Sequence, residues 1–135
     1  MRPAPLFTID MGNLPREAFQ RFFDNLSPTF GHMISLGQPN TIVACPALTT
    51  HSELDAKALA EAGITPTTVR FAVGDEDPRD LIAHLVATAK LAIEPQVPGF
   101  SDSFPRTAAI NELIRTCYVD AHRRYIEFKT PDRSL

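Results

Sequence analysis

Residues 68–78, TVRFAVGDEDP, combine a β-strand pattern with the start signal of a helix. Apolar side chains recur with a period of two along the first part, as they do on a strand with one buried face. The apolar positions are Val69, Phe71 and Val73. Arg70 is therefore expected to project from the opposite face. Asp77 followed by Pro78 is typical of a helix start, because a carboxylate can cap the first N–H groups and proline suits the first turn.

Strand and helix patterns continue on both sides of this segment. Downstream, the apolar positions Leu81, Ile82, Leu85, Val86 and Ala89 recur at helical spacing. Upstream, three further strands are predicted at residues 6–11, 30–36 and 41–44, and two helices at about 15–26 and 52–62. Ser52 is the expected cap of the second of these helices. The short link at residues 37–40 predicts a hairpin between antiparallel neighbours.

Proline is unusually frequent, at 12 of 135 residues, and falls mainly at the boundaries of these elements. Residues 94–105 contain three prolines and are expected to form an arm, which a helix at about 107–128 follows. The patterns predict an α+β fold: a small, mostly antiparallel sheet with helices packed on one face, plus a C-terminal arm and helix. The predicted domains are 1–93 and 94–135.

The composition is that of one soluble globular domain, with 44% hydrophobic and 21% charged residues and a net charge of −3. This balance argues against nucleic-acid binding, which needs a basic face. No apolar run approaches the roughly 20 residues of a membrane span, and no leader is expected. Cys45 and Cys117 are too few for a disulfide framework, so we expect reduced thiols and a cytoplasmic location.

Self-contained catalytic sites are only weakly indicated. Cys45 and His51 are a nucleophile and a base in type, but Cys45 ends an apolar strand, which favours a buried, inert thiol. The histidines lack the spacing of metal ligands, so no metal site is predicted. The acidic residues 75–77 are interpreted as favouring the N-terminus of the next helix rather than as an acid–base pair.

Arg70 carries the strongest chemical indication. Between the short side chains of Thr68 and Ala72, its planar guanidinium could bind a carboxylate through two parallel hydrogen bonds. The alternative is an exposed arginine on the polar face of a half-buried strand. The lysines, Lys57, Lys90 and Lys129, are expected to be solvated, whereas a lysine for covalent catalysis must be desolvated or lie beside cations.

Five short motifs occur in a recognisable order. They are ISLG at 34–37, PALTTHS at 46–52, AGI at 62–64, VRFAVGDED at 69–77 and DLI at 80–82. In this order and spacing, residues 6–91 resemble the C-terminal part of the Cys/Met-metabolism enzymes that use pyridoxal phosphate, the trans-sulfuration family that includes cystathionine γ-synthase and O-acetylhomoserine sulfhydrylase. Leu48 departs from the pattern, since the family usually has serine or methionine there.

The resemblance implies a fold-type-I enzyme in which a large domain holds the cofactor on a lysine and a small C-terminal domain helps to bind the substrate. This chain resembles the small domain. By that resemblance, Arg70 binds the substrate α-carboxylate, and Ser35 and Leu36 line the same end of the site. The cofactor lysine and the phosphate-binding residues belong to the large domain and have no counterpart here.

The implied function is substrate binding for γ-replacement or elimination on homoserine esters, cystathionine or methionine by a complete, homo-oligomeric enzyme. On its own, the chain is expected to bind no cofactor, to supply no catalytic residue and not to catalyse. Its expected partners are a large domain or subunit that binds pyridoxal phosphate and a small amino-acid substrate. Two alternatives remain: a stand-alone amino-acid-binding module, and a non-catalytic remnant or interaction protein.

Overall fold

The computed structural model describes residues 5–35 and 37–129. The described residues form a four-stranded sheet in the spatial order β1-β4-β3-β2. The strands are β1 (Leu6–Asp10), β2 (Gly31–His32), β3 (Ile42–Ala44) and β4 (Thr68–Ala72). The helices are α1 (Arg16–Asp24), α2 (Ala56–Glu61), α3 (Pro78–Ala92) and α4 (Thr107–Lys129), and Pro46–Leu48 and Phe100–Ser103 form short 3₁₀ helices.

Strand β4 is central and pairs antiparallel with both β1 and β3. The predicted strands near residues 6–11, 41–44 and 69–73 are thereby confirmed. The hairpin predicted at residues 37–40 is wrong, because β2 runs parallel to β3 and pairs Gly31 with Ile42. The predicted strand at 30–36 is only two residues long, since only Gly31 and His32 pair with β3. In the loop that follows, the Gln38 side chain donates to Met33 Sδ and to Asn40 Oδ1.

The core lies between the sheet and the helices α1 and α3, which pack against each other. Phe30 is 1% exposed and meets the Phe71 ring edge-on, with 6.0 Å between the ring centroids. On the same face, Phe23 of α1 stacks on His32 of β2. The largest fully buried side chains are Phe30, Leu26, Ile42, Ile93, Val43, Val69, Thr41 and Cys45. This arrangement confirms the α+β fold with helices on one face of the sheet.

The two helix caps that the sequence predicts have different outcomes. Helix α3 begins as expected, because the Asp77 side chain accepts a hydrogen bond from the backbone N–H of Arg79. Helix α2 is shorter than predicted and is capped by Asp55 instead of Ser52. Ser52 donates its hydroxyl to the carbonyl of Thr49, so it belongs to the turns that precede the helix.

The chain divides into two compact units between Ser103 and Phe104. Residues 94–103 of the predicted arm lie in the first unit, where the Glu94 carboxylate accepts hydrogen bonds from the N–H groups of Gly99 and Ser101 in the same arm. The second unit contains α4, which has no buried side chain among its described residues. The predicted division at 93 and 94 stays a prediction. In the part of the chain that the structure describes, no helix is long and apolar enough to cross a membrane.

Candidate carboxylate-binding site

Arg70 lies at the middle of β4, on the face opposite the buried rings. The antiparallel register places it opposite Thr8 on one side and Ala44 on the other. Because side chains alternate along a strand, Arg70 faces away from the core that Val69 and Phe71 fill. Its cross-strand neighbours, Thr8 and Ala44, both have short side chains.

The Nη2 atom of Arg70 is buried and has no hydrogen-bond partner. Within residues 5–35 and 37–129, it is the one buried side-chain nitrogen or oxygen in that state. Leaving a buried donor unpaired costs about 1–3 kcal/mol, and more when the donor is charged. A carboxylate is a group that could pair with this donor and neutralise its charge.

The structure describes Ser35 but not Leu36. Ser35 follows β2, and its hydroxyl lies 3.3 Å from both the nitrogen and the carbonyl oxygen of Gly37. It therefore bonds within its own loop and not to Arg70, which lies two strands away in the sheet. Leu36 lies outside the described residues. The roles of Arg70, Ser35 and Leu36 in substrate binding stay predictions.

A second polar cluster, which sequence reasoning missed, ties the end of β4 to the start of β3. Glu76 Oε1 accepts a hydrogen bond from the Thr41 N–H at 2.5 Å, and its Oε2 accepts one from the Thr41 hydroxyl at 2.7 Å. The same hydroxyl accepts a hydrogen bond from the Gly74 N–H at 3.0 Å. We call Thr41, Gly74 and Glu76 the Glu76 clasp. The only signal in the sequence is a carboxylate two residues after a glycine.

The charge state of Glu76 follows from these contacts. Partial burial opposes its ionisation, but the hydrogen bonds from the backbone and hydroxyl of Thr41 outweigh that effect and lower the pKa of the carboxyl below its ordinary 4.5. Glu76 is therefore ionised at neutral pH. Its neighbour Asp77 caps α3 and pairs with Arg79, so the predicted helix-start role holds for Asp77 and does not describe Glu76.

The structure does not bring Cys45 and His51 into a catalytic pair. Cys45 is fully buried, and its thiol contacts the carbonyl of Pro66. Burial raises the pKa of this thiol, because its effect outweighs that of the backbone N–H hydrogen bonds, which lower the pKa. The thiol is therefore protonated at neutral pH. The His51 ring nitrogen Nδ1 lies 2.7 Å from the hydroxyl of Thr50 instead. The expected burial of Cys45 is confirmed.

The described residues do not fit a covalently held pyridoxal phosphate. Lys57 pairs with Glu61 with 85% of its side chain exposed, Lys90 is exposed on α3, and Lys129 lies over the ring of Tyr125. A lysine that forms a Schiff base needs a desolvated or strongly cationic setting, which none of these has. No group of three or more metal-ligating side chains occurs in residues 5–35 and 37–129 either.

Known proteins have similar sequences over about half of this chain or less. The chain is 41% identical over 69 residues to O-acetyl-L-homoserine sulfhydrylase 1 of Thermus thermophilus, covering 51% of this chain and 16% of that protein. It is 44% identical over 54 residues to O-acetyl-L-homoserine sulfhydrylase of Corynebacterium glutamicum, covering 40% and 12%. The chain thus spans about a sixth of the length of these relatives or less.

Solved structures of similar proteins also superpose on part of this chain. A crystal structure assigned as an O-acetylhomoserine (thiol)-lyase of Campylobacter jejuni superposes with a TM-score of 0.56 at 33% identity, covering 63% of this chain and 20% of that one. Cystathionine gamma synthase of Xanthomonas oryzae in complex with cystathionine gives a TM-score of 0.53 at 33% identity, covering 64% and 21%. The similarity in fold therefore accompanies the similarity in sequence.

The sequence profile of one family accounts for the sheet, its helices and the candidate site together. The match runs from residue 3 to residue 90 and so includes Ser35, Leu36, Arg70 and the Glu76 clasp. It leaves α4 outside. Since the match covers well over half of the chain, this protein belongs to the Cys/Met metabolism PLP-dependent enzyme family.

Proposed function

We propose that this chain is the substrate-binding small domain of a pyridoxal-phosphate-dependent sulfur amino-acid enzyme. The reaction would be a γ-replacement or an elimination on a homoserine ester, cystathionine or methionine. Arg70 binds the α-carboxylate of the amino acid and so fixes its orientation. The relatives named as O-acetyl-L-homoserine sulfhydrylases make an acetylated homoserine the first substrate to examine.

One observation supports this proposal: Arg70 Nη2, in the middle of β4 and on the sheet face opposite Phe71, is buried without a partner. A folded protein tolerates an unpaired buried charge poorly, so such a group is a candidate for ligand binding. A carboxylate matches the guanidinium in charge and in planar geometry. Membership of the Cys/Met metabolism family points to a sulfur amino acid or its precursor as the molecule that carries this carboxylate.

The cofactor enters the proposal through a second domain. A large domain, whether on the same polypeptide or on another, would hold pyridoxal phosphate, which supplies the electron sink for carbanion chemistry. The residues of this chain would bind and orient the substrate and leave the bond-breaking steps to that domain. We propose further that the complete enzyme is a homo-oligomer and works in the cytoplasm.

A graft tests the proposal. The full chain would replace the matching C-terminal segment of the Thermus thermophilus enzyme, and KM and kcat for O-acetyl-L-homoserine would be measured. We expect the graft to be active, and Arg70→Met to raise KM by about ten- to a hundredfold, the effect of losing a charged hydrogen-bond pair. Arg70→Lys should recover part of the loss, because it restores the charge without the planar pair of donors.

The matched control is Arg21→Met, which makes the same substitution at an exposed arginine of α1, outside the candidate site. Its KM should equal that of the unmodified graft. An active graft in which Arg70→Met leaves KM unchanged would show that Arg70 does not bind the substrate. An inactive graft that still folds and assembles would contradict the assignment of this chain as the substrate-binding domain.

A further inference from the structure

In the 33–40 loop, which contains Ser35, the described residues 33–35 and 37–40 bond to one another. The Ser35 hydroxyl bonds to the backbone of Gly37. The Gln38 side chain donates to Met33 Sδ at 3.2 Å and to Asn40 Oδ1 at 2.9 Å. Because these bonds lie within the loop, they fix its internal shape but do not place it relative to β4.

The Glu76 clasp supplies that placement. Thr41 directly follows the loop, is fully buried, and gives both its N–H and its hydroxyl to the carboxylate of Glu76. Gly74, two residues before Glu76, donates its N–H to the same Thr41 hydroxyl. Two further atoms extend the contact, since the Asp75 N–H donates to the carbonyl of Pro39 at 2.9 Å.

The two segments approach so closely that a side chain at position 74 would not fit. A Cβ atom there would lie 2.2 Å from the carbonyl oxygen of Pro39 and 2.6 Å from Glu76 Oε2. Glycine at this position therefore allows the backbone after β4 to touch the 33–40 loop directly. The carboxylate of Glu76 then bridges the contact with a charge-assisted pair of hydrogen bonds.

We propose that Glu76 is a positioning residue for the carboxylate site: through Thr41 it holds the 33–40 loop, and with it Ser35, in a fixed place relative to Arg70 on β4. The part that concerns ligand binding rests on the proposed function of Arg70. The part that concerns the loop rests only on the contacts of the clasp. Glu76 touches no substrate in this account and acts through Thr41.

The proposal is tested on the full chain by NMR. The backbone amides of Thr41, Gly74, Ser35 and Gly37 and the Nε–H of Arg70 would be followed, with acetate as the carboxylate probe. Glu76→Ala should accelerate amide exchange at Thr41 by about tenfold or more and shift the Ser35 and Gly37 signals. It should also weaken acetate binding at Arg70 by about fivefold, the effect of one lost hydrogen bond.

Three variants separate positioning from general stability. Glu76→Gln has the same length but only one acceptor oxygen, so it can keep one of the two bonds that Thr41 donates and should recover part of the exchange protection and acetate affinity. Asp75→Asn removes an adjacent exposed charge and should change neither. Asp77→Ala removes the cap of α3, so it should lower the global stability without shifting Ser35 or weakening acetate binding.

The outcomes distinguish the two parts of the account. Unchanged exchange at Thr41 and unchanged Ser35 signals in Glu76→Ala would overturn the positioning role. Equal acetate affinity in Glu76→Ala and the unmodified chain would overturn its effect on ligand binding. If acetate leaves Arg70 unaffected in the unmodified chain, the proposed function of Arg70 fails, while the exchange data still decide whether Glu76 holds the loop.

Discussion

Arg70 on β4 lies directly opposite Ala44 on β3 in the antiparallel register. Ala44 is 4% exposed, and its methyl side chain has no polar atom that could pair with the guanidinium. The Arg70 cation therefore lies beside a methyl group on this side. The Nη2 atom of Arg70 is buried without a partner. The candidate site follows from this juxtaposition, and so does the first prediction.

Arg70→Met should stabilise the chain in the absence of ligand. The substitution keeps an unbranched apolar stem and removes the unpaired buried donor, so we expect the free energy of unfolding to rise by about 1 kcal/mol. Urea unfolding followed by circular dichroism measures the change. Arg21→Met should stay within about 0.5 kcal/mol of the unmodified chain. A loss of stability in Arg70→Met would mean that the guanidinium is already paired in the folded chain.

Gly74→Ala should destabilise the first unit strongly. The new Cβ would have to displace the backbone of Pro39, and overpacking against backbone costs about 1–3 kcal/mol or more. Gly31→Ala offers a graded comparison, because its nearest contacts are side-chain atoms at 3.1 and 3.2 Å, which can shift. It should cost clearly less. Equal stability of Gly74→Ala and the unmodified chain in thermal unfolding would contradict the close approach at residue 74.

The stability contributed by Glu76 should depend on pH. Its folded-state pKa lies below the ordinary value of 4.5, so its contribution is fully present above that value and is lost as the pH falls through the folded-state pKa. Glu76→Gln should be less stable than the unmodified chain at pH 7, and the difference should shrink as the pH falls from about 5 to about 3. Urea unfolding at a series of pH values measures this difference. A difference that stays constant with pH would show that the ionised carboxylate is not what Thr41 binds.

The two cysteines should react at very different rates. Cys117 is exposed on α4, whereas Cys45 is buried and burial raises its pKa. Thiolates are the reactive form, so a maleimide at neutral pH should label one thiol per folded chain quickly, and mass spectrometry should place it at Cys117. In denaturing urea both should react. Rapid labelling of Cys45 in the folded chain would contradict its placement in the core.

Much of the first unit could be predicted from local patterns. Strand β4 and the start of α3 follow from a period-two alternation and an Asp-Pro pair, which act within a few residues. The parallel pairing of β2 with β3 could not be predicted, because it joins residues eleven positions apart, such as Gly31 and Ile42, and no local pattern in the intervening loop specifies their relative direction.

The residues of the candidate site also differ in whether the sequence could predict them. Arg70 could be singled out from its strand position and its short neighbours, but its predicted role in substrate binding depends on the family resemblance of residues 69–77. Glu76 could not, since its partner Thr41 lies 35 residues earlier in the chain and an acidic residue before a helix already has a local explanation. Ser52 illustrates the opposite error: a good capping residue was available, but Asp55 stands nearer to the helix that forms.

The central claim is that Arg70 binds the α-carboxylate of an amino acid. The most direct test is an NMR titration of the full chain, in which the Arg70 Nε–H is followed with O-acetyl-L-homoserine and separately with its methyl ester, which lacks the carboxylate. We predict a saturable shift with the free acid and none with the ester. No shift with the free acid, or equal shifts with both compounds, would contradict the account.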